Sequence, residues 1–285
     1  MSILQAARRL VIGKSRDPLD PGVFHHISLA AFLAWVGLGA DGLSSSCYGP
    51  EEAFVTLGTH PHLAVFLAIA MVVTIGVISM SYAQIISLFP SGGGGYLVAS
   101  SLLGKGAGVV SGSALVVDYA MTIAMQIAAC VAALCSLAPR AVPQGEQLVL
   151  SLVLLAALVV LNLRGVKESV LVLLPIFVLF LVTHALLIVF GIGSHAAAMP
   201  EVVAATVRET RETWTALGGI GTLALLLKAF SMGGGTYTGI EAVSNGLQIL
   251  REPRVQTGRR TMLYMAVSLS VTAGGLILCY LLAGV

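Results

Sequence analysis

Long apolar runs separated by short polar stretches make up most of this chain of 285 residues. Uninterrupted runs lie at 63–88, 105–137, 148–163, 169–190 and 261–284. A helix rises 1.5 Å per residue and the hydrocarbon core of a bilayer is about 30 Å thick. The longer runs therefore span that core fully, and the shortest is just sufficient. The pattern predicts five unbroken membrane helices.

Two further apolar runs, at 27–58 and at about 217–250, are interrupted by glycine-rich stretches. Glycines, serines and a carboxylate fill residues 37–52 of the first run, and glycines and threonines fill residues 233–239 of the second. We predict an unwound break at each place, with Pro50 opening the second half of the first helix. Transporters use such broken helices to hold substrates near the middle of the membrane.

These seven segments predict an all-α polytopic membrane protein in which a broken helix opens each of two five-helix halves. We expect a polar cytosolic leader at 1–26 and a first five-helix repeat at 27–192. A connection with a short surface helix follows at 193–215, and the second repeat starts at 216–285. The chain holds about seven of the ten helices that such a fold requires, with helices 1 and 6 broken.

Composition supports a membrane protein, because 57% of the residues are hydrophobic and only 10% are charged. Ordinary globular domains have about a quarter of their residues charged. Basic and acidic residues number fifteen and thirteen, so nothing in the net charge favours nucleic acid as a partner. The four cysteines lack the spacing of a zinc site or a disulfide framework.

Basic residues are distributed unevenly between the two sides that the predicted segments define. With the N-terminus inside, eleven lie on the cytosolic side and three on the outer side, and only Lys228 lies within a segment. Cytosolic loops are enriched in lysine and arginine, so this distribution predicts a cytosolic N-terminus. The cytosolic set is Arg8, Arg9, Lys14, Arg16, Lys105, Arg164, Lys167, Arg251, Arg254, Arg259 and Arg260, and the outer set is Arg140, Arg208 and Arg211.

Three acidic residues are candidates for chemistry: Asp41 in the first break, Asp118 in the third segment and Glu241 after the second break. A charge at membrane depth is expensive, so it is a functional candidate by default. Asp118, Thr122 and Gln126 are spaced four residues apart, which places them on one helical face. Carboxylates and hydroxyls are hard oxygen ligands, suited to alkali or alkaline-earth ions and not to transition metals.

Glu241 and Lys228 each have a structural alternative to a role in ion binding. Thr238 and Glu241 are three residues apart, the spacing of a capping box at the start of a helix. Lys228 could neutralise one of the acids, or its side chain could extend to a membrane interface. Three carboxylates close together in a low dielectric should not all stay ionised, so one of them could carry a proton.

Several motifs in this chain resemble those of the KUP/Kim-type potassium importers. Two further stretches of this chain resemble the wider amino acid-polyamine-organocation superfamily. The resemblance to the importers is carried by residues 39–52, Asp118-Tyr119 and residues 238–245, and that to the superfamily by residues 89–96 and 162–166. The resemblance implies a five-plus-five inverted-repeat fold and potassium–proton symport.

The same resemblance implies which side chains line the ion path. They are Asp41, Tyr48, Asp118, Thr122, Thr238 and Glu241, with Gln126, Lys228 and Ser44 as accessory candidates. Gln126 departs from the family, where a small hydroxyl residue is expected. Length departs as well, since family members continue beyond the seventh segment. We expect the chain to be a fragment that needs the missing C-terminal helices to transport.

Two other functions are alternatives to potassium import. A proton-coupled amino-acid permease shares the fold, although Asp41 would repel the carboxylate of such a substrate. A non-transporting seven-helix remnant or binding protein is the other alternative. The expected partners are a potassium ion, a proton and the lipid bilayer, with a homodimer as one expected assembly. We expect a multi-pass protein of the cell membrane that is not an enzyme and needs no cofactor.

Overall fold

The computed structural model describes residues 28–137 and 142–284, and this part of the chain is mainly helical. The predicted leader at 1–26 and Arg140 lie outside the described residues. The α-helices in chain order are α1 (Ala31–Thr56), α2 (Ala64–Leu88), α3 (Gly94–Leu102), α4 (Lys105–Ser136), α5 (Gln144–Arg164), α6 (Val166–Ser194), α7 (Met199–Met232), α8 (Ala242–Asn245) and α9 (Arg254–Ala283). Short 3-10 helices lie at Pro61–Leu63, Ala196–Ala198, Gly233–Tyr237 and Leu247–Ile249.

Six helical segments in the described ranges are long and apolar enough to cross a membrane. They correspond to the second to seventh predicted segments, and α2, α4, α5 and α6 match their predicted positions closely. Helix α1 has 26 residues and comparable length, but its glycines, serines and acids make it more polar. The protein is therefore a multi-pass helical membrane protein, as the apolar pattern predicted.

The prediction of an unwound break at 37–52 is wrong, because α1 is helical throughout and has Pro50 inside it. Its serines satisfy their hydroxyl groups within the helix. Ser44 and Ser45 both donate to the carbonyl of Asp41 at 2.9 Å, and Ser46 donates to the carbonyl of Leu43 at 2.6 Å. A serine that bonds back to a carbonyl one turn earlier is compatible with a continuous helix.

Close packing accounts for the glycines of α1. A Cβ atom on Gly49 would lie 2.8 Å from the backbone nitrogen of Thr236, and one on Gly42 would lie 3.4 Å from the carbonyl of Thr238. The small residues therefore let the backbone of the second glycine-rich stretch approach α1 directly. Sequence alone does not separate this role of glycine from helix breaking.

The second predicted break is confirmed. Helix α7 ends at Met232, the 3-10 helix follows, Thr238 is extended, and Gly239 has a φ of +86°. Beyond it the chain forms only the four-residue α8 and another 3-10 turn, where we predicted a longer helix. The break therefore extends further towards Leu250 than the sequence indicated.

The polar connection before the break contains more helix than predicted. Helix α7 begins at Met199, so the predicted surface helix joins the sixth membrane segment, with a kink at Gly218, whose φ and ψ are +70° and 170°. Helix α9 also begins earlier than the apolar run predicted at 261–284, because residues from Arg254 onwards form its first turns. The glycine-rich loop after α2 ends at Gly94, where α3 begins.

Helices α1 and α9 form the centre of the described bundle, with α2, α6 and α7 packed around them. Leu29, just before α1, pairs in parallel with Leu250, just before α9, and neither side chain is exposed. The Leu29 N–H donates to the carbonyl of Ile249 at 2.9 Å, and the Arg251 N–H donates to the carbonyl of Leu29 at 2.8 Å. These bonds fix the second break against the start of α1.

Candidate functional site

The Asp41 carboxylate lies where the second break crosses α1. A Cβ atom on Gly239 would lie 2.7 Å from Oδ2 of Asp41 and 2.9 Å from the backbone nitrogen of Gly42. Only glycine readily adopts the positive φ at this position. The break and the Asp41 carboxylate are therefore in direct contact.

Gln126 of α4 reaches across to the same carboxylate. Its Nε2 donates to Oδ1 of Asp41 at 2.5 Å and approaches the Asp41 backbone carbonyl at 3.4 Å. A hydrogen bond to a charged group is stronger than one between neutral groups. Gln126 therefore joins α4 to the middle of α1, which is a more direct role than the accessory one that we predicted.

Glu241 follows the break and has a buried oxygen, Oε1, without a hydrogen-bond partner in the described part of the chain. Its carboxyl group interacts with the hydroxyl of Tyr119 on α4, which also accepts a hydrogen bond from Asn245 Nδ2 at 3.0 Å. Buried polar atoms in native proteins normally have partners, so an unpartnered carboxylate oxygen indicates a position for a proton or a ligand. No capping bond from Thr238 begins the helix after Glu241, so the capping box is not formed.

Asp118 lies on the exposed face of α4. It interacts electrostatically with Asp41 and with Glu241, and those two acids interact with each other. The three acids, which come from three separate segments, are therefore near enough to influence one another electrostatically. No set of three acidic, histidine or cysteine side chains in the described part is arranged to hold a metal ion directly. Any cation would need hydroxyl or carbonyl oxygens to complete its ligand set.

The predicted hydroxyl residues lie around the acids. Tyr48 donates to the Ser45 hydroxyl at 3.0 Å, packs its ring against Gly235, and interacts with both Asp41 and Asp118. Thr122 is buried on the same helix as Asp118. Thr238 is half-buried in the break, and Ser44 uses its hydrogen on the Asp41 carbonyl. Their role as ion ligands stays a prediction.

Lys228 is not among the charged groups that act on Asp41 or on Glu241. Its side chain is exposed on α7. The charged groups that act on Glu241 are the other two acids. The carboxylates therefore repel one another without a basic side chain of the described residues to offset them.

Sequence reasoning missed two residues near the site. Asn245 orients the Tyr119 hydroxyl beside Glu241, and it lies within the motif at 238–245 that carries the resemblance. Thr236 is fully buried against Gly49 of α1, and its hydroxyl has no partner among the described residues. A threonine inside a glycine-rich run was the only signal for it.

Comparisons with known proteins show which sequences this chain is similar to. The amino acid permease family matches residues 31–284. The potassium transporter KimA of Bacillus subtilis (strain 168) is similar as well, with 33% identity over 273 residues. That alignment covers 94% of this chain and 43% of the relative. The chain therefore spans less than half the length of this relative.

Proposed function

We propose that this chain, which belongs to the amino acid permease family, forms the ion-binding part of a potassium importer that works by potassium–proton symport. The similar protein from Bacillus subtilis is a potassium transporter, and it supports the choice of ion. The observation that carries the proposal is the electrostatic interaction of Asp41, Asp118 and Glu241, of which Asp41 contacts the second break.

The electrostatics explain why such a site would take two cations of different kinds. Carboxylates that interact inside a membrane protein repel each other, and each ionised group is costly there unless a positive charge is close. A potassium ion held by Asp41 and Asp118 offsets part of the charge. A proton on Glu241, whose Oε1 has no hydrogen-bond partner among the described residues, offsets another part. Uptake of both cations together leaves the three acids with far less uncompensated negative charge than either cation alone.

The remaining ligands of the ion would be oxygens that need no charge. Tyr48, Thr122 and Thr238 supply hydroxyl groups, and the extended backbone at the break supplies carbonyls. Oxygen ligands of this kind replace the hydration shell of an alkali ion. We propose a place in the cell membrane, as for other importers, and a cytosolic N-terminus. Leu29 before α1, Ser91 after α2 and residues 248–251 before α9 are joined by hydrogen bonds at one end of the bundle. That end is the one predicted to carry most of the basic residues.

The test uses the protein at its full natural length, purified and reconstituted into liposomes. Asp118→Asn keeps the shape of the side chain and removes its charge, and potassium uptake should fall by at least about tenfold. Glu241→Gln should bind potassium but lose the dependence of uptake on an inward proton gradient. Glu146→Gln, at the exposed start of α5, serves as the control and should transport like the parent.

The second candidate is a proton-coupled amino-acid permease, favoured by the family that matches the chain. Such a transporter needs backbone N–H groups for the substrate carboxylate, whereas α1 is a continuous helix here. Leucine and alanine uptake in the same liposomes separates the two functions. If Asp118→Asn retains parental potassium uptake and loses amino-acid uptake, the permease function replaces the potassium function. If the parent moves neither, both transport proposals fail.

A further inference from the structure

The contact between Gln126 and Asp41 occupies the atoms that a bound cation would use. The Gln126 amide nitrogen lies 2.5 Å from Oδ1 of Asp41 and also faces the Asp41 carbonyl oxygen at 3.4 Å. It joins residues that are 85 positions apart in the chain. The contact therefore depends on the packing of α4 against α1 and not on either helix alone.

The chemistry of a side-chain amide gives this contact two forms. The NH₂ group of glutamine carries two donors, and its oxygen is a hard acceptor of the kind that alkali ions prefer. Towards an ionised Asp41 the nitrogen must face the carboxylate, since two oxygens would repel. The terminal torsion of glutamine has a broad, roughly two-fold profile, so half a turn exchanges nitrogen for oxygen at small cost.

We propose that Gln126 sets the affinity of the site, because its amide competes with the cation for Asp41 in the empty transporter. When an ion arrives, the amide leaves Oδ1 and turns its oxygen towards the ion. Each binding event breaks a hydrogen bond to a charged group, so the ion binds more weakly than it would beside a short side chain. This inference rests on the proposed function, and it concerns a position at which this chain departs from the resemblance to potassium importers.

The surroundings favour a competing role over a purely structural one. Asp41 interacts with Asp118 and Glu241, and no basic side chain of the described residues stands among its interaction partners. The Gln126 amide is the donor that offsets its charge when no cation is present. After it releases its substrates, a transporter must change conformation with its site empty. A carboxylate that accepts a hydrogen bond from a neutral donor has a lower free-energy cost in that state than a carboxylate without one.

The experiment measures the KM and the maximal rate of potassium uptake by the full-length protein in liposomes. Gln126→Ser removes the amide from reach, and it should lower KM by about threefold to tenfold, a modest share of the strength of a charge-assisted hydrogen bond. Gln126→Asn keeps the amide but shortens the side chain by one methylene, and it should lower KM as well. Gln84→Ser changes an exposed glutamine of α2 and should keep the parental KM.

The outcomes separate this inference from the proposed function. If the parent takes up potassium and both Gln126 variants keep or raise its KM, Gln126 only joins α4 to α1 and the inference fails. If the Gln126 variants lose thermal stability and maximal rate without a fall in KM, Gln126 again has only a structural role and the inference fails. If the parent takes up no potassium, the proposed function itself fails and the inference fails with it. Should Gln126→Ser not fold, Gln126→Asn alone decides.

Discussion

The imidazole Nδ1 of His62 lies 2.8 Å from Oε2 of Glu209, and the backbone N–H of His62 donates to Oε1 of the same carboxylate at 3.0 Å. His60 lies beside this pair, with its Nδ1 2.8 Å from the hydroxyl of Thr213. These contacts join the turn after α1 to the polar half of α7. They lie at the end of the bundle opposite to the Leu29–Leu250 pairing.

The first prediction concerns this connection. Glu209→Ala leaves the His62 N–H and imidazole without their partner, so we expect a loss of about 1–3 kcal/mol in stability. The measurement is the thermal unfolding of the purified protein in detergent. Glu212→Ala removes an exposed acid from the same helix and should change stability by less than about 0.5 kcal/mol. Equal losses in the two variants would show that the contact with His62 contributes nothing.

The second prediction concerns Gly239, at which the break touches Asp41. Gly239→Ala introduces a Cβ at a φ of +86° and places it 2.7 Å from Oδ2 of Asp41 and 2.9 Å from a backbone nitrogen. We expect the strain to cost about 1–3 kcal/mol and potassium uptake to be lost. Gly234→Ala is the matched control, since its Cβ would meet nothing within 4 Å and its φ is ordinary. Uptake by Gly239→Ala at the parental rate would contradict the geometry of the site.

The third prediction concerns Tyr119, whose hydroxyl lies between Asn245 and Glu241. Tyr119→Phe removes the hydroxyl from the proposed proton carrier but leaves the ion ligands in place. The pH dependence of uptake should change, while the KM for potassium should stay within about twofold of the parental value. Tyr264→Phe on α9, whose ring contacts Trp35, is the control and should keep the parental pH profile. If both variants keep that profile, Tyr119 does not act on the proton step.

The fourth prediction concerns orientation in the membrane. We expect Gln256, in the first turns of α9, to face the cytosol and Glu212, on α7, to face outwards. Each is replaced by cysteine in a background without the four native cysteines, and an impermeant thiol reagent is added to intact cells. The cysteine at 212 should react and the cysteine at 256 should not. The reverse pattern would invert the topology.

The sequence predicted the unbroken helices well, for a simple physical reason. In α2, α5 and α6 apolar residues predominate over a length that can cross a bilayer, so length and composition define each helix, even with Pro175 inside α6. The first glycine-rich run led to the wrong prediction of a break, because glycine can either interrupt a helix or allow another backbone to pack closely against it. The position of Thr236 and Gly233 against Gly49 decides between these roles, and only tertiary structure contains that contact. Gly218 was overlooked because a single glycine inside a helical pattern gives a weak signal.

The candidate site could be predicted in part. Acidic residues at membrane depth are costly, so Asp41, Asp118 and Glu241 were recognisable from hydropathy alone. The four-residue spacing on α4 placed Gln126 on the face of Asp118, but not its bond with Asp41. That bond joins distant segments, and so does the bond between Asn245 and Tyr119. Without the packing of the helices, neither pairing follows from spacing.

The parallel pairing of Leu29 with Leu250 also limits how this protein can move. Two backbone hydrogen bonds join the segment that leads into α1 to the segment that leads into α9, and both leucine side chains are fully buried. Any motion that separated these two segments would break both bonds and expose the two leucines. The segments that lead into α1 and α9 should therefore move together as one rigid body.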